Sequence, residues 1–245
     1  MSEPGRSSKP VVFLAFADSV EANLPRLADE LRQIRAVLTP AVKNGWCDLI
    51  ERANVTLDDI LAVFREQRDQ IVLFHYAGHA TSYQLLLNAS ASKLSEVNAG
   101  GLAEFLSQQR NLQLIFLNGC STSGHVDGLL DAGVGAVIAT AQDILDDAAL
   151  EIAQAFYTSF GSGQPLQTAY NEAAYTMRAR YGETVASTTP WHLRIRPEQN
   201  HLRDWKLASA LSLLPKVDCP YRGLEFFDTQ HAANYFGRQT MAAKL

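Results

Sequence analysis

Four short, mostly apolar runs constrain this chain more than any other feature: 11–16 (VVFLAF), 71–74 (IVLF), 114–117 (LIFL) and 135–140 (GAVIAT). Runs of this length without polar alternation have no side that can face water. Each therefore reads as a β-strand covered on both faces, as in a parallel sheet. The stretches between them change to helical spacing. A helix opens at Asn23 with Pro25 in its first turn and carries a stripe of Leu24, Leu27, Ala28, Leu31, Ile34 and Leu38. Thr56 and Asp59 have the spacing of a capping box before a helix that buries Ile60, Leu61 and Phe64. A weaker strand is expected over 48–55, and further helices around Leu102, Phe105 and Leu106, through Ile152, Phe156 and Phe160, and from Pro165 to near Gly182. Residues 83–87 read as the return arm of a hairpin, and 191–196, bracketed by Pro190 and Pro197, as an edge strand. The expectation is an α/β fold, a mostly parallel central sheet flanked by helices in three layers.

Folds of this kind keep their chemistry where the strands end. The run at 71–74 leads through His75, Tyr76, Ala77 and Gly78 to His79 and Ala80. The run at 114–117 leads through Asn118 and Gly119 to Cys120. A thiol with a pKa of about 8.5 is mostly protonated at neutral pH, so a nucleophilic cysteine needs a base, and His79 would supply one. Gly119 and Gly124 allow a tight turn after the strand that would turn the Cys120 N–H outward as an oxyanion donor, with the Ala80 N–H as the second. The arrangement suits acyl transfer from a peptide carbonyl. Taken singly, a strand-end cysteine or histidine is usually a packed structural residue; the joint placement carries the argument. His75 is assigned to the interior, because alternation along the strand puts it opposite Phe74.

Other cysteine chemistries fail on the letters. A phosphatase loop needs an arginine six positions after its cysteine, and that position is Val126. An amidotransferase needs a histidine two residues before a glutamate, whereas His125, His192 and His201 precede Asp127, Arg194 and Arg203 at that offset. Papain-like order would leave only His192, on an edge strand. Residues 161–168 resemble a phosphate loop but have no lysine before Thr168, so no nucleotide site is expected.

Composition narrows the class further. With 245 residues, 47% of them hydrophobic, the chain suffices for one sizeable core and a short appendage. Twenty-one basic against 26 acidic side chains argue against direct nucleic-acid binding. Three cysteines without paired spacing suggest neither a disulfide framework nor a metal site, and point to a reducing, cytoplasmic setting. No apolar run is long enough for a signal core or a membrane span, so neither export nor a membrane partner is expected. The sequons at Asn54 and Asn88 are accordingly read as chance matches.

A Gly-His pair at one strand end and, later, a cysteine at another resembles the CHAT family of caspase-like cysteine peptidases, over roughly residues 11–197. The resemblance implies a caspase-like three-layer sandwich, a catalytic dyad of His79 and Cys120, and backbone oxyanion donors at Ala80 and Cys120. It implies a protein or peptide substrate and no cofactor. Two positions depart from the family pattern. Ala80 replaces the usual glycine after the histidine, and Asn118 stands where basic-specific metacaspases carry an aspartate. Asn118 is thus the candidate specificity position, and a neutral residue is expected before the scissile bond. Asp127, Asp131, Asp143, Asp146 and Asp147 are alternative sources of charge from neighbouring loops.

The domain layout is read as a peptidase domain over 1–205, a linker over 206–218 and a third segment over 219–245. That last segment, with Cys219, Pro220, Tyr221 and Arg222 at its start and Asn234 to Arg238 further on, resembles the opening of a STAND-type regulatory NTPase. The resemblance implies a bacterial fusion in which a peptidase effector precedes a nucleotide-driven switch, an arrangement associated with phage defence and programmed cell death. The downstream NTPase and sensor domains are then expected as partners. Two other readings stand beside the peptidase. One is an inactive caspase-like binding or signalling module; the other is a TIR-like nucleotide-hydrolysing effector, suggested by residues 13–18 after the first strand.

Overall fold

A computed structural model describes residues 9–18, 24–80, 84–90, 93–120, 122–141, 145–182 and 191–214. The chain divides into two compact units, Met1–Leu214 and Pro215–Leu245. The described residues all belong to the first. Asn23, Tyr83, Asp143, Pro190 and the segment 215–245, each of which carried an expectation, lie outside them.

The elements follow in the order β1 (Val11–Ala17), α1 (Leu27–Lys43), β2 (Asp48–Ala53), α2 (Leu57–Glu66), β3 (Ile71–Gly78), β4 (Gln84–Ser90), β5 (Lys93–Asn98), α3 (Ala99–Ser107), β6 (Leu114–Asn118), α4 (Val126–Ala132), β7 (Ala136–Thr140), α5 (Asp146–Gly161), α6 (Leu166–Tyr181) and β8 (Trp191–Ile195). Six strands form one sheet in the order β2-β1-β3-β6-β7-β8, while β4 and β5 pair separately as an antiparallel hairpin. All neighbours in the main sheet are parallel except β7 and β8. Every described residue of β1, β3, β6 and β7 is buried, as the unbroken apolar runs required.

Alternation along β1 divides the core in two. Val12, Leu14 and Phe16 pack with Ile34 and Leu38 of α1, Phe156 of α5 and Ala169 of α6. Val11, Phe13 and Ala15 pack on the opposite face with Phe64 of α2, Leu102 of α3 and Leu129 of α4. The result is three layers, with α1, α5 and α6 on one side of the sheet and α2, α3 and α4 on the other.

Several boundaries differ from the sequence reading. Helix α1 starts after Pro25, because Leu24 is first held in a turn by Asp18 Oδ1 (3.0 Å), and it continues through Pro40 to Lys43. Strand β4 forms its hairpin with β5, and among the described residues a single bridge, Ala80 to Leu85, connects it to the end of β3. The stretch expected to begin a linker at 206 is packed as far as Leu214. A 3-10 helix over Leu207–Leu213 buries Leu207 and Ala210, and the backbone N–H of Leu166 donates to Trp205 O at 2.8 Å. A repeat of three residues aligns 207 with 210, a period that a reading by α-helical spacing overlooks.

The capping box is present. Thr56 Oγ1 accepts from the Asp59 N–H at 3.1 Å, and Asp59 Oδ2 accepts from the Thr56 N–H at 2.9 Å. The Thr56 hydroxyl, which donates to Asp59 Oδ2 at 2.7 Å, and after it the Thr56 N–H hold the Asp59 carboxyl below its usual range. Asp59→Ala is expected to cost about 1 kcal/mol at pH 7. Because the folded-state pKa is depressed, this contribution is present above the unfolded value of about 3.9 and fades as pH falls through the folded one. Denaturant melts of wild type and variant should therefore begin to converge only below about pH 4 and meet once pH is under the depressed folded-state value.

Candidate active site

The two strand-end residues come together. Strands β3 and β6 are adjacent and parallel, with Ala77 opposite Asn118, so the next residues, Gly78 and Gly119, and then His79 and Cys120, leave the sheet side by side. Both His79 and Cys120 are half-buried and line one cleft of about 220 Å³, together with Asn118. Helix α1 contributes Leu27 and Glu30 to the cleft, and α5 contributes Asp146 and Ala149. The volume lies below the roughly 300–1,000 Å³ of clefts that take drug-sized ligands, a size suited to a single side chain.

Close backbone approach explains the glycines better than turning does. A Cβ on Gly119 would lie 2.5 Å from Gly78 O and 3.3 Å from the Ala80 Cβ. On Gly78 it would lie 2.7 Å from Ala17 O. The two exits can thus touch only because Gly119 carries no side chain, while a bare Gly78 lets the first exit pack against the end of β1. Gly124, expected to ease the turn, lies instead in a 3-10 helix over Thr122–His125.

Each exit is stapled from below. Tyr76 Oη donates to His79 O at 2.6 Å, which fixes the backbone that carries the imidazole. Beneath Cys120, Thr140 Oγ1 donates to Gly119 O, and Thr140 N–H donates to Thr122 Oγ1 at 2.8 Å. Thr122 Oγ1 in turn donates to Leu117 O at 3.2 Å. Nothing in the sequence marked these threonines as a unit.

Ala80 is half-buried beside Gly119 and does not line the cleft. Among the described residues only Asn54 and Asp69 bear a side chain at positive φ, so alanine is accommodated at 80 without backbone strain. Asn118 reaches the cleft, but its amide is fully engaged. Nδ2 donates to Glu30 Oε1 at 2.7 Å and to Ala149 O at 3.0 Å, and Oδ1 accepts from Trp191 Nε1 at 3.0 Å. Of the aspartates considered as alternatives, Asp146 lines the cleft, and Asp147 holds the cleft residue Arg26 (2.7 Å). Asp127 is turned to solvent beside Arg194.

Sequence reading missed Glu30. It is 3% exposed, on the face of α1 that also buries Leu27, Ile34 and Leu38. Its Oε1 accepts from His75 Nε2 at 3.1 Å as well as from Asn118. His75, fully buried as expected, meets the Tyr157 hydroxyl at Nδ1, 3.1 Å away. Burial, and after it the charge of Glu30, pushes the Tyr157 phenol well above its usual range, so it keeps its proton. A carboxylate oxygen accepts, so the His75 Nε2–H and the Asn118 amide both direct a proton at Glu30. The available signal was a glutamate three residues after Leu27 and four before Ile34, on an otherwise apolar face.

Neither Cys47 nor Cys120 is part of a disulfide, and their surroundings differ. Burial pushes the Cys47 thiol up to about 12. Among the described residues, no three His, Cys, Asp or Glu side chains are grouped to hold a metal ion, and no helix is long and apolar enough to cross a membrane.

Six mostly parallel strands between helical layers, with strand-end residues sharing a cleft, define the fold of the caspase-like cysteine proteases. Solved structures with this fold include the Arg-specific cysteine proteinase gingipain R (14% identity, TM-score 0.56, 78% of this chain and 48% of that one). Another is a secreted C11 cysteine protease from Bacteroides thetaiotaomicron, determined with an irreversible peptide inhibitor (14% identity, TM-score 0.54, 70% of this chain and 59% of that one). The chain thus spans about half the length of these proteins, and at such identity the likeness is one of fold. No curated protein matches the sequence. The family model for the CHAT domain matches residues 2–214, and the chain belongs to that family.

Two measurements probe this geometry. Under limiting alkylation of the native protein, peptide mapping should find Cys120 modified at least tenfold faster than Cys47, because one thiol borders a cleft and the other is buried with its pKa raised. Gly119→Ala should push the two strand exits apart and lower the labelling of Cys120 by a peptide electrophile about 100-fold, with the melting temperature moving only a few degrees.

Proposed function

We propose that the domain is a cysteine endopeptidase acting through His79 and Cys120. The observation that supports this most is their departure from adjacent parallel strands into a single cleft. In this reading His79 takes the thiol proton and the Cys120 sulfur attacks the substrate carbonyl carbon. The Cys120 and Ala80 amides stabilise the oxyanion. As the C–N bond breaks, the imidazolium returns its proton to the leaving amine. Water, deprotonated by His79, then hydrolyses the thioester and releases the acid product and the free thiol.

The wider setting rests on sequence alone. Residues 219–245 resemble the opening of a STAND-type NTPase, so the peptidase is read as the effector of a bacterial defence or cell-death protein in the cytoplasm, with a protein substrate and its own downstream domains as partners. Such an effector is released by clustering or loop ordering, and the isolated chain has low activity in proportion to its competent fraction.

The test is covalent labelling with a peptidyl acyloxymethyl ketone, using this chain and its clustered full-length parent. Wild type should label, Cys120→Ala should not, and His79→Ala should label at least about 100-fold more slowly. Equal labelling of wild type and Cys120→Ala in both forms would exclude the peptidase and leave an inactive binding module.

A further inference from the structure

We infer that Glu30 makes the cleft a receptor for a cationic side chain, so that the domain cleaves after arginine or lysine. The inference rests on the peptidase reading and replaces the expectation, drawn from Asn118, of a neutral residue before the scissile bond.

Four observations carry it. The first is location: Glu30 lines the same cleft as His79 and Cys120 while only 3% exposed. A carboxylate this deep is costly unless it is paired or hydrogen-bonded. The second is the nature of its partners. The Asn118 amide is an uncharged donor, so it satisfies a hydrogen bond without cancelling the charge. The third is direction. Both donors end on Oε1, which leaves Oε2 as the oxygen able to receive a guest.

The fourth is the charge around the cleft. Asp146 adds a second carboxylate to the lining. Arg26 is the cation there, and it is already engaged by Asp147 at 2.7 Å and Asp29 at 3.3 Å. A substrate carboxylate would meet Glu30 in poorly screened surroundings, and an aliphatic side chain would leave Oε2 without a partner. A guanidinium or ammonium group satisfies it. The negative charge that Asn118 lacks is therefore delivered from α1, one hydrogen bond away.

Matched arginine and citrulline probes test this, since the two side chains share size and shape and differ in charge. The full chain is incubated with peptidyl acyloxymethyl ketones ending in Arg, Lys, citrulline, Leu or Asp, and the rate of Cys120 labelling is measured by intact mass. Wild type should react about 10- to 100-fold faster with Arg than with citrulline, the range expected for one charge-assisted contact. Lys should exceed Leu, and Asp should be slowest. In Glu30→Gln the Arg-to-citrulline ratio should fall to near one. The ratio is internal to each protein, so a general loss of reactivity does not disturb it.

A wild-type ratio near one, or a preference for Leu or Asp, overturns the inference and leaves the peptidase reading intact. An unchanged ratio in Glu30→Gln also overturns it, because the selectivity then arises elsewhere. If Glu30→Gln does not fold, Asp146→Asn decides: a wild-type-like ratio supports Glu30, and collapse to one assigns the charge to Asp146 instead. If no probe labels Cys120 either in this chain or in its clustered full-length parent, both readings fail together.

Discussion

A buried carboxylate organises this domain. Glu30 is held by His75 from β3 and Asn118 from β6; Asn118 is held by Trp191 from β8, and His75 by Tyr157 from α5. One acceptor thus links three strands and both helices that flank the cleft. Each of these groups would cost several kcal/mol if buried without a partner, so the network tolerates only one arrangement of its members. Aromatic packing completes it: His75 lies edge-on to Phe116 with ring centres 5.1 Å apart, and Tyr157 stacks at 6.1 Å on the same ring. The polar centre and the apolar core are therefore one structure, in which the glutamate sets the position of the helix relative to the strands.

Reactive groups are carried above this centre on short exits from the sheet. The exits are rigid for local reasons, the absence of side chains at Gly78 and Gly119 on one hand and the hydroxyl staples of Tyr76, Thr122 and Thr140 on the other. Preorganisation of this kind fixes where the Cys120 and His79 side chains stand without spending binding energy on their alignment. Precision at the site comes from strands, and the helices contribute the walls.

How much of this could be read from the letters depends on the kind of interaction. Burial on both faces leaves a linear trace, so β1, β3, β6 and β7 and the pairing of His79 with Cys120 at neighbouring strand ends were legible. The Thr56 capping box was legible too, because its spacing is local. Glu30 was not, since a glutamate in an amphipathic helix ordinarily faces water, and its partners lie 45 and 88 residues away. The partners of Asn118 were hidden for the same reason: its amide is engaged by α1, α5 and β8, which its position in the motif did not suggest. The 3-10 helix over Leu207–Leu213 was read as a linker because its apolar residues repeat every three positions. Strand β5, with Lys93, Ser95 and Glu96, has too weak an apolar alternation to be seen.

The two margins of the main sheet are charged. Strand β2 carries Asp48, Glu51 and Arg52, with Glu51 gripped by Arg35 of α1, and β8 carries His192 and Arg194. A foreign strand adding to either margin would have to lie along these groups and desolvate them. Sheets that end in charge resist templated growth, so two copies that meet margin to margin do not fuse into a cross-β aggregate.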